Sequence, residues 1–309
     1  MKSFKSVISI SLAAAWFVAS PGASALTLSA VYTDTSIFQS AGGQLFSGDP
    51  MNGAIDVTNI FKTNVDAAFT YLGNSIKVDR NLQVTFSLFD FSGLGADGDS
   101  SITSVYNDTG LPASSRIRID SGAGSHFYLD STPFNNSEWA MNSTDAALGG
   151  GSVNVGRYGS AVAGGGAEGR TDILTLLLHE LVHSTGLNSP TPTGAVGGPD
   201  RVLTIPSSLT GLPSSFDLPF LSQSAHIDPF VSDGVFSHTI TSEPSFGEGD
   251  RWLPTGVELY GICVVQLCTA SEVNPNLVGA AVPEPDTWLL CATGLVGFAA
   301  RRRRQQSLA

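Results

Sequence analysis

Several stretches in the first half of the chain alternate between apolar and polar residues, which is the pattern of half-buried β-strands. Residues 30–33 and 82–89 show this alternation most clearly, and residues 116–119, 126–129 and 152–155 repeat it over shorter lengths. Successive side chains of a strand point to opposite faces of a sheet, so each stretch can bury one face. We therefore predict a strand in each of these five regions.

A helical period interrupts these strands between residues 57 and 72. The apolar residues that recur at helical spacing are Ile60, Phe61, Val65, Ala68, Phe69 and Leu72. A strand, a helix and further strands before a second apolar helix predict an α/β (α+β) fold. Residues 190–224 are rich in Pro, Gly, Ser and Thr, so we predict a loop or a short insertion there.

The second helix is predicted from about residue 172 to about residue 186. Thr171 and Asp172 are suitable N-cap residues for the apolar run that begins at Ile173. Gly186 is suited to the left-handed conformation that commonly ends a helix. Because the segment is mostly apolar, we expect the helix to be buried, with its polar residues gathered near its end.

Residues 179–183 of this helix read HELVH. His179 and His183 are four residues apart, so they project from one face on successive turns and can reach a single zinc ion. Glu180 is then placed to take a proton from a zinc-bound water. A core helix that merely carries these polar groups is the alternative interpretation, but burying them is costly unless something binds them.

A zinc site of this kind needs a third protein ligand. Only two histidines follow the helix, His226 and His238. We predict His226 as the third ligand and keep His238 as the alternative. Asp228, Glu243 or a water molecule remain as further alternatives.

The run HELVHSTGLNS at residues 179–189 resembles the metzincin protease motif HExxHxxGxxH, in which the glycine, here Gly186, turns the chain away from the helix. Ser189 stands where the motif has its third histidine, and no methionine follows the helix to form the family's Met-turn. An insertion before a distal histidine, as in leishmanolysin-like proteases, would accommodate His226. Residues 129–138 also resemble a segment that precedes the active helix in secreted HExxH proteases of bacteria with PEP-CTERM signals.

This resemblance implies a metzincin-like zinc protease domain over residues 26–282. Its twisted mixed sheet and active-site helix would lie in residues 26–187, and residues 188–282 would form a smaller, loop-rich C-terminal lobe. The implied activity is that of an extracellular endopeptidase on protein or peptide substrates, with Zn2+ as cofactor and Glu180 as catalytic base. Because of the departures from the motif, a non-catalytic, metal-stabilised surface or exopolysaccharide-matrix protein remains the alternative.

Both ends of the chain have the features of targeting signals. Residues 1–25 combine two lysines, an apolar stretch and an Ala-Ser-Ala cleavage site, as in a secretory signal peptide. Residues 283–309 contain Pro-Glu-Pro, a short apolar segment at 288–300 and four arginines, and they resemble the PEP-CTERM sorting signal that an exosortase processes. We predict a secreted or cell-surface protein with exosortase as a partner and transient membrane contact through residues 288–300. A permanent C-terminal membrane anchor is the alternative.

The chain is acidic, with 15 Lys+Arg against 27 Asp+Glu and a net charge of −12. The two end segments hold six of the basic residues and two of the acidic ones, so residues 26–282 carry a net charge of about −16. A surface this acidic repels phosphate backbones, and we therefore predict no nucleic-acid partner.

Two further features concern cysteines and acidic residues. Cys263 and Cys268 are the only cysteines within residues 26–282, and outside the cell we predict a short-loop disulfide between them, with free thiols as the alternative. Residues 90–100, DFSGLGADGDS, could cradle calcium, but they lack the bidentate Glu of an EF-hand loop. We predict a solvated turn there.

Overall fold

The computed structural model describes residues 26–32, 57–89, 91, 96–120, 127–187, 201–221, 225–242 and 247–276. Within these ranges the strands are β1 (Thr27–Tyr32), β2 (Asn81–Phe89), β3 (Gly98–Val105), β4 (Pro112–Asp120), β5 (Phe127–Tyr128), β6 (Trp139–Leu148), β7 (Gly151–Ala161), β8 (Thr171–Asp172), β9 (Arg201–Ile205), β10 (Phe216–Phe220) and β11 (Asp250–Trp252). The helices are α1 (Val57–Ser75), α2 (Ile173–Ser184), α3 (Ser207–Thr210) and α4 (Gly256–Val265), and a 3-10 helix spans Val231–Gly234.

The largest sheet has four strands in the order β1-β2-β4-β3. β1, β2 and β4 are parallel, whereas β3 pairs antiparallel with β4 and forms one edge. Alternate residues of β2 are buried, and one of them, Phe86, meets Phe61 of α1 edge to face with ring centroids 6.0 Å apart. The helical pattern of α1 and the alternating pattern of β2 therefore contribute to one core, because the apolar side of α1 packs on the apolar face of the sheet.

Helix α2 packs against β3, β4 and α1, and all twelve of its residues are buried. Its N-cap residue is Asp172, whose side chain accepts a hydrogen bond from the Thr175 backbone N–H. Gly98 allows β3 to lie close to the helix, since a Cβ at that position would be 3.2 Å from Leu176 Cδ1. The start of β3 therefore runs alongside α2, on the sheet's exposed edge.

The turn after α2 requires glycine. Gly186 has a φ of +98°, and a Cβ there would lie 2.8 Å from Val265 Cγ1. Both the left-handed backbone and the close approach of α4 exclude a side chain. Gly186, the residue predicted to end the helix, therefore also lets the chain turn back close to α4 after the last turn of α2.

The remaining strands form three smaller sheets. β6 and β7 make an antiparallel hairpin that β11 extends in the order β11-β7-β6, and β5 pairs parallel with β8. β9 and β10 form a separate antiparallel pair, and α4 packs against β9. Through these contacts the C-terminal elements complete the core around α2.

The predicted class, a mixed α/β fold, is confirmed, and the five predicted strands fall in β1, β2, β4, β5 and β7. Two predictions are corrected in part. The described part of the region expected to be a loop or a short insertion, residues 201–221, contains β9, α3 and β10, because pairing lets this stretch bury Leu203, Ile205 and Leu218. In the expected solvated turn at 90–100, residues 98–100 belong to β3 and pair with β4, and residues 90 and 92–95 lie outside the described residues.

Several predictions concern residues that the structure does not describe. The predicted signal peptide at 1–25 and the sorting signal at 283–309 lie outside the described residues, as do Ser189 and Glu243. None of the helices in the described part of the chain is both long enough and apolar enough to cross a membrane.

Candidate metal centre

Three histidines meet at the end of α2. His179 and His183 lie on successive turns, with their Nε2 atoms 3.1 Å apart. His226 Nε2 lies 3.3 Å from His179 Nε2, and the three side chains offer ligand atoms that all lie within 4.8 Å of one another. The structure thus brings together the two motif histidines and the third histidine preferred from the sequence.

Backbone carbonyls fix the protonation of two of these rings. His179 Nδ1 lies 2.7 Å from the Ile240 carbonyl oxygen, and His183 Nδ1 lies 3.0 Å from the Leu187 carbonyl oxygen. A carbonyl only accepts hydrogen bonds, so each Nδ1 carries the hydrogen and each Nε2 is left with a lone pair in the neutral ring. The Nε2 atoms that carry these lone pairs are 3.1 Å apart.

Burial keeps these rings neutral. It lowers the pKa of His179 and that of His183 to about 3, although the hydrogen bonds to backbone carbonyls favour the charged forms. It also lowers the pKa of His226. At neutral pH the rings of His179 and His183 therefore hold no extra proton that could bridge their two Nε2 atoms.

This arrangement fits a divalent metal ion. Zinc–nitrogen bonds of about 2.0–2.1 Å at tetrahedral angles place ligand nitrogens about 3.3–3.4 Å apart. The separations of His179 Nε2 from His183 and from His226, 3.1 and 3.3 Å, are close to that value. Neutral imidazoles whose other nitrogen donates to a carbonyl are also the usual form of histidine ligands.

His226 reaches this position because its segment is held on two sides. Its carbonyl accepts a hydrogen bond from the Leu221 N–H, and the Asp228 N–H donates to the Pro219 carbonyl, which extends the edge of β10. On the other side the Ile227 N–H donates to the Thr241 carbonyl. The backbone on both sides of the third histidine is therefore fixed.

A carboxylate lies beside the histidines. Glu180 is buried, and its Oε1 lies 3.9 Å from His179 Nε2. Burial raises the pKa of the Glu180 carboxyl, and the nearby His183 and a hydrogen bond from Ser100 lower it in part. A raised pKa makes this group a stronger proton acceptor than an ordinary surface carboxylate.

The three histidines and Glu180 open onto a cavity of about 230 Å³. Its other lining residues are Ala96, Gly98, Asp99, Ser100 and Ala225. The start of β3 and the segment that carries His226 therefore both contribute to its lining. The cavity therefore reaches Glu180 as well as the three histidines.

The alternative third ligands lie elsewhere. The His238 ring stacks on Tyr158 at a centroid distance of 4.2 Å and lies 5.9 Å from the Trp252 ring. The Asp228 carboxylate accepts a hydrogen bond from the Phe230 N–H. Among the residues described, His179, His183 and His226 form the one group of three side chains placed to share a metal ion.

The predicted disulfide is not present in the structure. Cys263 and Cys268 are both free thiols, and the Cys268 N–H donates to the Cys263 carbonyl across the turn that ends α4. A hydrogen bond with the Cys268 thiol and burial raise the pKa of the Cys263 thiol. The turn therefore places the two side chains as neighbouring thiols without a covalent bond.

Some residues of the site could not have been found from the sequence. The carbonyls of Ile240 and Leu187 orient the histidines, and backbone groups carry no sequence signal. Glu258 is different, because Thr255 and Glu258 form the T-x-x-E pattern of a capping box at the start of α4. The sequence pattern predicts the contact of Glu258 with Thr255, but it does not predict the contact of Glu258 with Thr241.

Comparison with known proteins identifies the C-terminal segment. Residues 281–304 match the PEP-CTERM protein-sorting motif. The protein is therefore exported and processed by an exosortase at this signal, and the predicted location, secreted or at the cell surface, is confirmed. No curated protein and no solved structure matches the chain.

Proposed function

We propose that this protein is an extracellular zinc-dependent endopeptidase in which His179, His183 and His226 bind the metal and Glu180 is the general base. The observation that carries the proposal is the convergence of neutral imidazoles beside a buried carboxylate in an open cavity. The Nε2 atoms of His179 and His183, 3.1 Å apart, have close to the separation of two nitrogens bound to one zinc ion. A carboxylate next to such a cation is placed for proton transfer.

The number of ligands supports a catalytic site over a structural one. Structural zinc sites are usually closed by four protein ligands, whereas catalytic sites have three and keep one position for water or substrate. The described residues supply three histidines, and the cavity lies on their open side. This observation weighs against the alternative of a metal-stabilised matrix protein without activity.

The residues of the chain have defined roles in the proposed reaction. Zinc, when bound, would supply Lewis acidity and lower the pKa of water. Glu180 would accept the proton of the attacking water and return it to the leaving nitrogen of the peptide. Ser100 would hold the Glu180 carboxylate in place by its hydrogen bond.

The neighbouring sheet edge supports a peptide as substrate. β3 is the last strand of the four-stranded sheet, and its first residues, Gly98 to Ser100, line the cavity. An edge strand can pair with an extended peptide through main-chain hydrogen bonds. A peptide bound in this way would run past Glu180 and the three histidines.

The relationship to metzincins is part of this proposal. Gly186 turns the chain at the end of α2, as the motif requires, and His226 comes from a distant segment, as in leishmanolysin-like proteases. The segment Ile240–Thr241 lies next to the site without a methionine, so this chain would represent a variant in which other contacts support the ligands.

Replacing the general base tests the proposal. We expect Glu180→Gln to retain one zinc ion per chain while casein cleavage slows by about 10²–10⁴-fold, the usual contribution of a general base. The matched control is Glu168→Gln, because Glu168 accepts a backbone hydrogen bond from Gly164 in an exposed turn. Its cleavage rate should equal that of the wild-type protein.

Two results would contradict the proposal. One is casein cleavage by Glu180→Gln at the wild-type rate. The other is zinc-loaded wild-type protein that cleaves neither casein nor a mixed peptide library, which would favour the matrix protein.

A further inference from the structure

The segment Ile240–Thr241 contacts one proposed metal ligand, His179, and the residue next to another, His226. The Ile240 carbonyl accepts the hydrogen of His179 Nδ1 at 2.7 Å. The next carbonyl, that of Thr241, accepts a hydrogen bond from the N–H of Ile227, the neighbour of His226. Any displacement of Ile240 and Thr241 would therefore turn the ring of His179 and move the backbone beside His226.

Glu258 of α4 holds this segment. Its Oε1 accepts hydrogen bonds from both the backbone N–H and the hydroxyl of Thr241, each at 2.7 Å. Its Oε2 accepts the backbone N–H and the hydroxyl of Thr255, each at 2.8 Å. All three side chains are fully buried. One carboxylate thus bridges the start of α4 and the segment beside the metal centre.

Helix capping explains only half of this arrangement. The capping box at Thr255 uses Oε2, and capping boxes also form at helix ends on the surface. Burying a carboxylate is costly unless hydrogen bonds satisfy both oxygens. Both hydrogen bonds to Oε1 come from Thr241, so they hold the segment Ile240–Thr241 beside the histidines.

We propose that Glu258 is a positioning residue for the metal centre, acting through Thr241 on His179 and His226. This inference rests on the proposed metal site. The path runs from the Glu258 carboxylate to the Thr241 backbone, then through the Ile240 carbonyl to His179 and through the Ile227 N–H to His226. Removing hydrogen bonds from outer-shell partners of metal ligands typically weakens metal binding about 10–100-fold.

The two threonines allow a matched test, because each donates one hydroxyl hydrogen bond to a different oxygen of the same carboxylate. We expect Thr241→Val to weaken zinc binding about tenfold, measured by competition with a chelator. Thr241→Ser keeps the hydroxyl and should bind zinc within about twofold of the wild-type protein. Thr255→Val loses an equivalent hydrogen bond at the start of α4. Its zinc affinity should also stay within about twofold of the wild-type value, even if the variant unfolds at a lower urea concentration.

A spectroscopic readout separates positioning from stability. The visible absorption spectrum of the Co2+-loaded protein reports the geometry of its ligands, and we expect it to change in Thr241→Val and not in Thr255→Val. Glu258→Gln should have the largest effect, because its amide NH2 must face the N–H of either Thr241 or Thr255. Where Glu258→Gln does not fold, the three threonine variants decide the question.

The inference is overturned if Thr241→Val binds zinc as tightly as the wild-type protein with an unchanged Co2+ spectrum. It is also overturned if Thr255→Val weakens zinc binding as much as Thr241→Val, since Glu258 would then act only through the stability of α4. These measurements are independent of the proposed activity. Wild-type protein that binds zinc but cleaves neither casein nor a mixed peptide library would contradict the endopeptidase proposal. The zinc affinities of the threonine variants would still test the role of Glu258.

Discussion

The two ends of α2 both bury polar side chains, but they satisfy them differently. At the N-terminal end the Asp172 carboxylate meets the Arg251 guanidinium at 2.9 Å, and Asp130 meets the same guanidinium at 2.8 Å. At the C-terminal end His179 Nε2 lies 3.1 and 3.3 Å from the Nε2 atoms of two other imidazoles. The first cluster pairs donors with acceptors, whereas the second brings the acceptor nitrogens of His179 and His183 together.

This difference separates a structural cluster from a candidate binding site. The Arg251 side chain is fully buried, lies over the Trp139 ring and also donates to Asn136, so the chain itself supplies partners for its charge. The three histidines instead bring ligand nitrogens together at a spacing that a single divalent cation can share. Burial of polar groups alone therefore does not distinguish a structural cluster from a candidate binding site. The distinction lies in whether the chain pairs the buried donors with acceptors.

Removing the charge at the N-terminal end should have the largest effect on stability. Arg251→Met leaves Asp130 and Asp172 buried without their cation, and breaking such a pair costs about 3–5 kcal/mol. Urea unfolding of the metal-free protein measures this loss. The folded fraction should still bind one zinc ion per chain, because the proposed metal centre lies at the other end of the helix.

Arg118 provides the matched control. It pairs with Asp99 on the partly exposed edge of the sheet, and exposed pairs contribute about 0–1 kcal/mol. We expect Arg118→Met to lower the free energy of unfolding by no more than that. Equal losses in the Arg251 and Arg118 variants would contradict the distinction between the buried cluster and an ordinary surface pair.

Acid should destabilise the metal-free protein through the C-terminal end of the helix. The folded pKa of His179 and His183, about 3, lies below the ordinary value of 6.5, so the unfolded chain binds more protons below about pH 6.5. Stability then falls as pH decreases from about 6.5 towards 3, by up to about 1.4 kcal/mol per pH unit for each histidine.

Urea unfolding at pH 6 and pH 5 checks this expectation. The wild-type protein should lose up to about 3 kcal/mol more between these pH values than a variant that combines His179→Gln and His183→Gln. Comparing the two proteins cancels the contributions of buried carboxyl groups. Parallel pH profiles for the two proteins would show that the rings are not held neutral by the fold.

The smallest effect should come from the turn that follows α2. Gly186→Ala meets both a left-handed backbone and the Val265 side chain, whereas Gly211→Ala meets a similar backbone, with a φ of +71°, and nothing within 4 Å. Left-handed backbone costs about 1–2 kcal/mol for a residue with a Cβ. We expect Gly186→Ala to lose more stability than Gly211→Ala and also to weaken zinc binding, because the Leu187 carbonyl orients His183. Equal losses, with unchanged zinc affinity, would show that the turn does not support the site.

Local patterns in the sequence predicted the elements whose residues bury one regular face. α1 and β2 have clear periods because each presents one apolar side to the core. β6 was missed, since most of its side chains are not buried and its strand form depends on pairing with β7. β9 and β10 were missed for a related reason, because the pairing of distant segments overrides the turn-like composition of this region.

In the candidate site too, local sequence patterns predicted some residues, whereas others depend on tertiary structure. His179, Glu180 and His183 were predicted because a helix fixes their relative positions over a single turn. For the third ligand, the sequence favoured His226 and kept His238 as the alternative, since only tertiary structure brings His226 to α2 and stacks His238 on Tyr158. The roles of Ile240 and Leu187 rest on backbone carbonyls, which no residue pattern reveals.

The zinc content of two histidine variants tests the central claim most directly. The purified, exported protein should contain one zinc ion per chain after dialysis, and His238→Ala should contain the same amount. His226→Ala should lose its zinc, because two histidines remain and the third ligand position is vacant. Equimolar zinc in dialysed His226→Ala, or its loss from His238→Ala, would contradict the proposed metal centre.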